Sequence, residues 1–133
     1  MRTYTPAKVF SRAQLGIEAP LVSVEVHIGG GLPRFTIVGL PETAVRESKD
    51  RVRAALLNSQ FEFPSGRITV NLAPADLPKE GGRFDLPIAI GILAATRQID
   101  ATQTPHHDFV GELGLAYTAC CRPRSSRAGQ SAL

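Results

Sequence analysis

The sequence has no tryptophan, one methionine and only 6% aromatic residues, so its core must be built mainly from Val, Ile, Leu and Ala. Its two cysteines, Cys120 and Cys121, are adjacent and cannot close an ordinary disulfide loop. No apolar run approaches the ~20 residues that cross a bilayer, and residues 1–6 lack the apolar stretch of a secretory signal. These features predict a cytoplasmic protein without membrane contact.

The charge is unevenly distributed along the chain. Residues 1–115 hold 12 Lys or Arg and 12 Asp or Glu, whereas the excess of +3 comes from Arg122, Arg124 and Arg127. Attraction to nucleic-acid phosphate needs clustered positive charge. The body of the protein is therefore not a basic domain, and a basic cluster is expected only in the tail.

Alternating and helical hydrophobic patterns predict one domain of α/β class, with the order β-β-β-α-β-α-β. This order is typical of a mixed sheet with helices packed on it, of the α+β type. The predicted strands are 7–13, 21–28, 34–38, 67–73 and 108–115, and the predicted helices are 42–58 and 86–98. Residues 1–6 are expected to be flexible, and residues 116–133, without an acidic residue or a period, to form a disordered tail.

The two predicted helices differ in character. The first has a buried stripe at helical spacing, formed by Val45, Ser48, Val52, Ala55 and Leu56. The second is apolar almost all round and should be central, with Asp85 placed to cap its free N–H groups.

Several short motifs do not predict a catalytic, cofactor or metal site. Lys8, Lys49 and Lys79 are followed by Val, Asp and Glu, so there is no Walker A motif. The glycines at 29–31 precede a strand and are interpreted as a turn. His106 and His107 have no further ligand near in sequence and are interpreted as loop residues.

The segment 71–87, NLAPADLPKEGGRFDLP, is the most distinctive part of the sequence. We interpret residues 74–83 as an interaction loop, whose candidate contacts are Asp76, Lys79, Glu80 and Arg83. A solvated loop held by its own salt bridges is the alternative. Candidate nucleic-acid contacts lie elsewhere, at Arg46, Lys49, Arg53 and Arg67.

Residues 7–115 resemble the amino-terminal domain of the magnesium-chelatase-like ComM/YifB proteins. The resemblance depends on two long stretches, GLPRFTIVGLPETAVRESKDRVRAA and ITVNLAPADLPKEGGRFDLPIAIGIL, and on GELGL at 111–115. It implies a fold like the second domain of ribosomal protein S5, which the Lon proteolytic domain shares. In such proteins the domain precedes an AAA+ ATPase module, which would bind the ATP and Mg that this chain is not expected to hold. The full-length proteins are implicated in DNA remodelling, as hexamers that drive branch migration in natural transformation.

The Lon likeness does not extend to its catalytic residues. Where the peptidase serine begins a helix this chain has Asp85, or its neighbours Arg83 and Phe84, and the pattern ends after GELGL, before the catalytic lysine. A serine–lysine dyad requires both groups, so peptidase activity is not expected.

The family pattern stops after Leu115, which suggests a truncated or frameshifted reading frame. The leading interpretation is a non-catalytic accessory domain of a magnesium-chelatase-like AAA+ ATPase, which contacts the ATPase module or neighbouring subunits, with DNA contacted indirectly. An S5-like nucleic-acid-binding domain and a non-functional truncated product are the alternatives.

Overall fold

A computed structural model describes residues 4–39, 41–114 and 120–123. The strands are β1 (Ala7–Arg12), β2 (Leu21–Gly29), β3 (Arg34–Val38), β4 (Arg67–Ala73), β5 (His107–Val110) and β6 (Cys120–Pro123). The helices are α1 (Thr43–Arg46), α2 (Ser48–Asn58) and α3 (Asp85–Ala95), and a 3-10 turn at Thr104–His106 leads into β5. The predicted α/β class and the predicted element order are confirmed, with one additional strand at the end.

The strands form a six-stranded mixed sheet in the order β3-β4-β2-β1-β5-β6. Three neighbouring pairs are antiparallel, namely β1 with β2, β2 with β4, and β5 with β6. The pairs of β3 with β4 and of β1 with β5 are parallel. The strand β3 therefore lies at one edge of the sheet.

One face of the sheet carries the core. On β2 the side chains of Val22, Val24 and Val26 are buried, whereas Glu25 and His27 on the other face are exposed. The same alternation continues on β4. Helix α3 packs on β1 and β2, and α2 packs on α3. The helices therefore cover the apolar face and leave the opposite face open.

Gly91 allows α3 to approach the sheet closely. A Cβ atom at this position would lie 2.5 Å from Cγ2 of Val26 on β2 and 3.7 Å from Cγ2 of Val9 on β1. Because the helix is buried against both strands, a side chain here would have to displace one of them.

The buried stripe predicted for the first helix is confirmed, since Val45, Ser48, Val52, Ala55 and Leu56 are all buried. The helix is nevertheless divided at Glu47 into α1 and α2.

Helix α3 ends at Ala95, three residues before its predicted end. Arg97 adopts a left-handed φ of 58°. The Arg97 N–H donates to Ala94 O and the Gln98 N–H to Leu93 O. This pair of bonds is a Schellman closure, which satisfies the last carbonyls of a helix and stops it.

The predicted end of the last strand at residue 115 is also wrong, because β5 ends at Val110. The Gly111 N–H instead donates to Arg83 O, and the Leu86 N–H donates to Gly111 O. The chain after β5 is therefore bonded to the start of α3.

The expected disorder of residues 116–133 is wrong for Cys120–Pro123, which pair with β5 as an antiparallel strand. The physical reason is that the outer edge of β5 offers backbone groups that a neighbouring extended segment satisfies. Residues 1–3, 116–119 and 124–133, on which the predictions of flexible ends also fall, lie outside the described residues. At the other end, Tyr4 packs against the core and Thr5 Oγ1 accepts a bond from Arg97.

Within the described part of the chain, no helix combines the length and the apolar character needed to cross a membrane.

Candidate interaction surfaces

Asp85 does not cap α3 as the sequence predicted. It is the first residue of the helix and fully buried, and its carboxylate accepts bonds from Arg51 Nε at 2.6 Å and Arg51 Nη2 at 3.1 Å. It also accepts a bond from the Leu113 N–H at 3.1 Å. The guanidinium of Arg51 provides charge-assisted bonds, which are stronger than those of a neutral amide. The Asp85 carboxylate therefore points into the interior of the domain.

Arg51 connects three parts of the structure. Besides Asp85 it donates to Ala44 O of α1 at 3.1 Å. The bond to Asp85 raises the pKa of Arg51, which partial burial would otherwise lower, and the nearby charges of Glu112 and Glu47 raise it further. Both members of the pair have hydrogen-bond partners within the domain, so we assign the pair a structural role.

Lys79, a predicted contact of the interaction loop, is fully buried. Its Nζ donates to Gly39 O at 2.6 Å and to Pro74 O. Burial lowers the pKa of Lys79, an effect that the charge of Asp76 opposes. The prediction of a surface role for Lys79 is wrong, because two backbone carbonyls satisfy the ammonium group inside the fold.

The other three predicted contacts of the interaction loop lie nearer the surface. Asp76 and Glu80 are exposed. Arg83 is half-buried and its Nη2 donates to Gln14 Oε1 at 2.9 Å. The exposed Glu42 is bonded to the same loop through the Gly81 N–H. With Lys79 inside, the surface of the loop is predominantly acidic.

A second surface lies at the edge of the sheet, where the start of β3 faces α2. It is a groove of about 430 Å³. We call it the basic groove; it is lined by Pro33, Arg34, Phe35, Lys49, Asp50, Arg53, Phe63, Pro64, Gly66 and Ile68. Two of the four predicted nucleic-acid contacts, Lys49 and Arg53, are among these residues.

Aromatic rings and cations contact one another in the basic groove. The ring centroids of Phe35 and Phe63 are 6.0 Å apart. The guanidinium of Arg53 lies 5.1 Å from the centroid of Phe63. Lys49 Nζ donates to Phe35 O at 3.3 Å. The groove thus combines flat apolar surfaces with two fixed cations.

Arg67 does not line the groove. It precedes the buried Ile68 on β4, so its side chain lies on the face of the sheet opposite the helices. The parallel register of β3 and β4 pairs it with Arg34, and both residues are exposed. Neither forms an ion pair with a carboxylate of the described residues. Arg46, the fourth predicted contact, is exposed on α1 and does not line the groove.

Sequence patterns did not single out Arg34, Phe35 or Phe63. The placement of Arg34 and Phe35 beside α2 depends on the pairing of β3 with β4, which joins residues more than 30 positions apart. The local sequence signal for these residues was limited to an arginine followed by a phenylalanine at the start of β3.

ATP is the ligand that the resemblance associates with the ATPase module, and a Walker A segment is the usual binding motif for its phosphates. No glycine-rich Walker A segment exists, and Lys79 bonds backbone carbonyls. Among residues 4–39, 41–114 and 120–123, no three His, Cys, Asp or Glu side chains converge as a metal site would require. The Nδ1 atom of His107 lies at hydrogen-bond distance, 2.9 Å, from the backbone oxygen of Gln103.

The comparisons with known proteins agree on one family for this chain. Residues 24–119 match the model described as subunit ChlI of Mg-chelatase. The competence protein ComM of Haemophilus influenzae is 65% identical over 109 residues, which cover 82% of this chain and 21% of ComM. The uncharacterized protein YifB of Salmonella typhimurium is 59% identical over 82% of this chain and 22% of its own length. An uncharacterized protein of Mycobacterium bovis is 39% identical over 81% of this chain and 22% of its own length. The chain thus spans about a fifth of the length of these relatives.

Proposed function

Since the chain belongs to the family of subunit ChlI of Mg-chelatase, as an amino-terminal domain of the ComM/YifB type, we propose that it is a non-catalytic accessory domain of an ATPase. In this proposal the domain contacts the ATPase module or neighbouring subunits of a hexamer. The assembled protein would remodel DNA, as in branch migration during natural transformation.

One observation carries the proposal. In the strand-to-helix loop that resembles a catalytic loop of Lon, the two central ionisable groups are used for structure. Asp85 is held by Arg51 and the Leu113 N–H, and Lys79 by two carbonyls. Neither is exposed to solvent. What this loop offers to other molecules is therefore a surface, with Asp76, Glu80 and Arg83.

The test uses a full-length relative of the ComM type that carries the corresponding residues. The variant Asp76→Ala/Glu80→Ala should leave the fold intact, because both side chains are exposed. It should reduce hexamer formation, measured by light scattering after size-exclusion chromatography, and DNA-stimulated ATP hydrolysis. The matched control is Asp100→Ala, an exposed carboxylate outside the loop. Normal assembly and hydrolysis in the double variant would exclude this role for the loop.

We propose direct binding of nucleic acid as a second candidate function. The observation that favours it is the presence of three cations, Arg34, Lys49 and Arg53, in the basic groove. The contribution of the tail arginines to binding must be measured separately from that of this cluster. Binding should persist in the variant Arg122→Gln/Arg124→Gln/Arg127→Gln and weaken steeply with salt. Loss of all binding in that variant would assign the affinity to the tail.

A further inference from the structure

The basic groove has a local charge that the rest of the domain does not share. Residues 1–115 are formally neutral. The groove is nevertheless lined by Arg34, Lys49 and Arg53, with Asp50 as the carboxylate among its described lining residues. Three of the 12 Lys and Arg residues in residues 1–115 line this one groove. Such a cluster attracts a ligand that carries several negative charges.

Arg34 lies at the start of the edge strand β3 and is exposed. No described carboxylate forms an ion pair with it, so its guanidinium can bond an anion at the rim of the groove.

The aromatic residues narrow the class of ligand. Phe35 and Phe63 are half-buried and line the same groove as the cations. A ligand that offered phosphates alone would gain nothing from these rings. A duplex keeps its bases stacked inside, whereas single strands present base faces that stack on aromatic rings and guanidinium planes. The pair of Arg53 over Phe63, at 5.1 Å, offers both kinds of surface.

We infer that the basic groove binds single-stranded nucleic acid. The bases pack against Phe35, Phe63 and Arg53, and the phosphates meet Arg34 and Lys49. The inference deepens the proposed nucleic-acid binding and rests on it. The groove volume of about 430 Å³ lies within the range of roughly 300–1,000 Å³ of ordinary ligand sites.

The test measures fluorescence anisotropy of a labelled 15-mer of deoxythymidine and of a 15-base-pair duplex. The protein is the 133-residue chain with its three tail arginines changed to glutamine. The groove variants are Phe63→Leu, which keeps apolar volume but loses the flat ring, Phe63→Tyr, which keeps the ring, and Arg34→Gln. Lys8→Gln, an exposed cation on β1, is the matched charge control. Far-UV circular dichroism reports whether each variant is folded.

The single strand should bind more tightly than the duplex. Phe63→Leu should weaken single-strand binding at least about fivefold, the lower end of the effect of losing one stacked base, whereas Phe63→Tyr should retain it. Arg34→Gln should weaken binding and lower the salt dependence by about 0.7 in log–log slope. Lys8→Gln should leave the slope unchanged.

Three outcomes would overturn the inference. If neither nucleic acid binds, the proposed nucleic-acid function fails as well. If both bind equally and Phe63→Leu has no effect, nucleic-acid binding stands and the single-strand groove is wrong. If polyglutamate displaces the single strand at equal charge concentration, the groove recognises acidic chains without regard to bases, and an acidic protein segment becomes the better ligand.

Discussion

Arg51 on α2 and Asp85 at the start of α3 form a two-point ion pair, with Nε–Oδ2 at 2.6 Å and Nη2–Oδ1 at 3.1 Å. Asp85 is fully buried, while 23% of the Arg51 side chain is exposed. The pair joins the two longer helices, and the Leu113 N–H bonded to the same carboxylate adds the segment after β5. The start of α3 is therefore the point at which α2, α3 and the segment after β5 are bonded together.

Asp85→Asn should lower the free energy of unfolding by about 3 kcal/mol. Breaking a buried pair typically costs about 3–5 kcal/mol, and we expect the lower end because Arg51 keeps some contact with water. Urea unfolding followed by circular dichroism measures the change.

Asp50→Asn serves as the control, since Asp50 is exposed on α2, and it should change stability by less than about 0.5 kcal/mol. In the double variant Arg51→Met/Asp85→Leu the loss of stability should be smaller than the sum of the losses in the single variants Arg51→Met and Asp85→Leu. An additive result would contradict the pair.

Gly91→Ala should destabilise the domain by about 1–3 kcal/mol, the usual cost of overpacking a core. Helix propensity alone gives the opposite sign, because alanine is better than glycine in a helix by roughly 0.5–1 kcal/mol. The clash of the new Cβ with Val26 Cγ2, at 2.5 Å, decides the outcome. Thermal and urea unfolding measure it.

Two comparisons identify the cause of that loss. Gly30→Ala should be nearly neutral, because a Cβ there meets nothing within 4 Å. Combining Gly91→Ala with Val26→Ala should cost less than the two changes separately, since the missing methyl groups make room. A stabilised Gly91→Ala protein would disprove the close packing of α3 on β2.

The stability of the domain should depend on the ionisation of Lys79. Burial lowers its pKa in the folded state below the ordinary 10.5. Between the two values the unfolded chain binds more protons, so the free energy of unfolding rises with pH. The difference in unfolding free energy between wild type and Lys79→Met should therefore increase as pH approaches 10.5 from below.

Lys8→Met, which removes an exposed lysine of β1, provides the reference for the loss of one positive charge. A wild-type advantage over Lys79→Met that declined as the pH rose would have the wrong sign and would contradict the burial of this lysine.

Deleting residues 116–133 should promote aggregation of the domain. The deletion removes β6, and β5 then becomes an edge strand with unpaired backbone groups. Light scattering at increasing protein concentration measures the effect. The charge-only variant Arg122→Gln/Arg124→Gln/Arg127→Gln keeps the backbone of β6 and should aggregate less. Equal behaviour of the two proteins would mean that β6 does not protect the edge.

Much of the fold could be predicted because its signals are local. Alternation of Val22, Val24 and Val26 marks a strand with one buried face, and the spacing of Val45, Val52 and Leu56 marks a helix with one buried side. The ends of the helices and strands were harder to predict from the sequence, since α3 ends where Arg97 adopts a left-handed φ. Because an arginine and not a glycine occupies the left-handed position, the sequence gives no signal for this closure.

The candidate surfaces were predicted only in part. Lys49 and Arg53 were placed correctly on one helix, but the partners that make them a groove, Arg34 and Phe63, were not. Lys79 was assigned to the surface from its charge, although the carbonyls that hold it belong to Gly39 and Pro74. The bond of Lys79 to Gly39 and the pairing of β3 with β4 join segments that are distant in sequence.

The sequence by itself determined the class of fold, the family and which side chains form the core, because hydrophobic periodicity and long motifs are properties of consecutive residues. Tertiary structure alone decided which charges are buried and which meet at a surface. Arg34 faces Arg67, and Asp85 faces Arg51, only because strand pairing and helix packing bring together residues more than 30 positions apart.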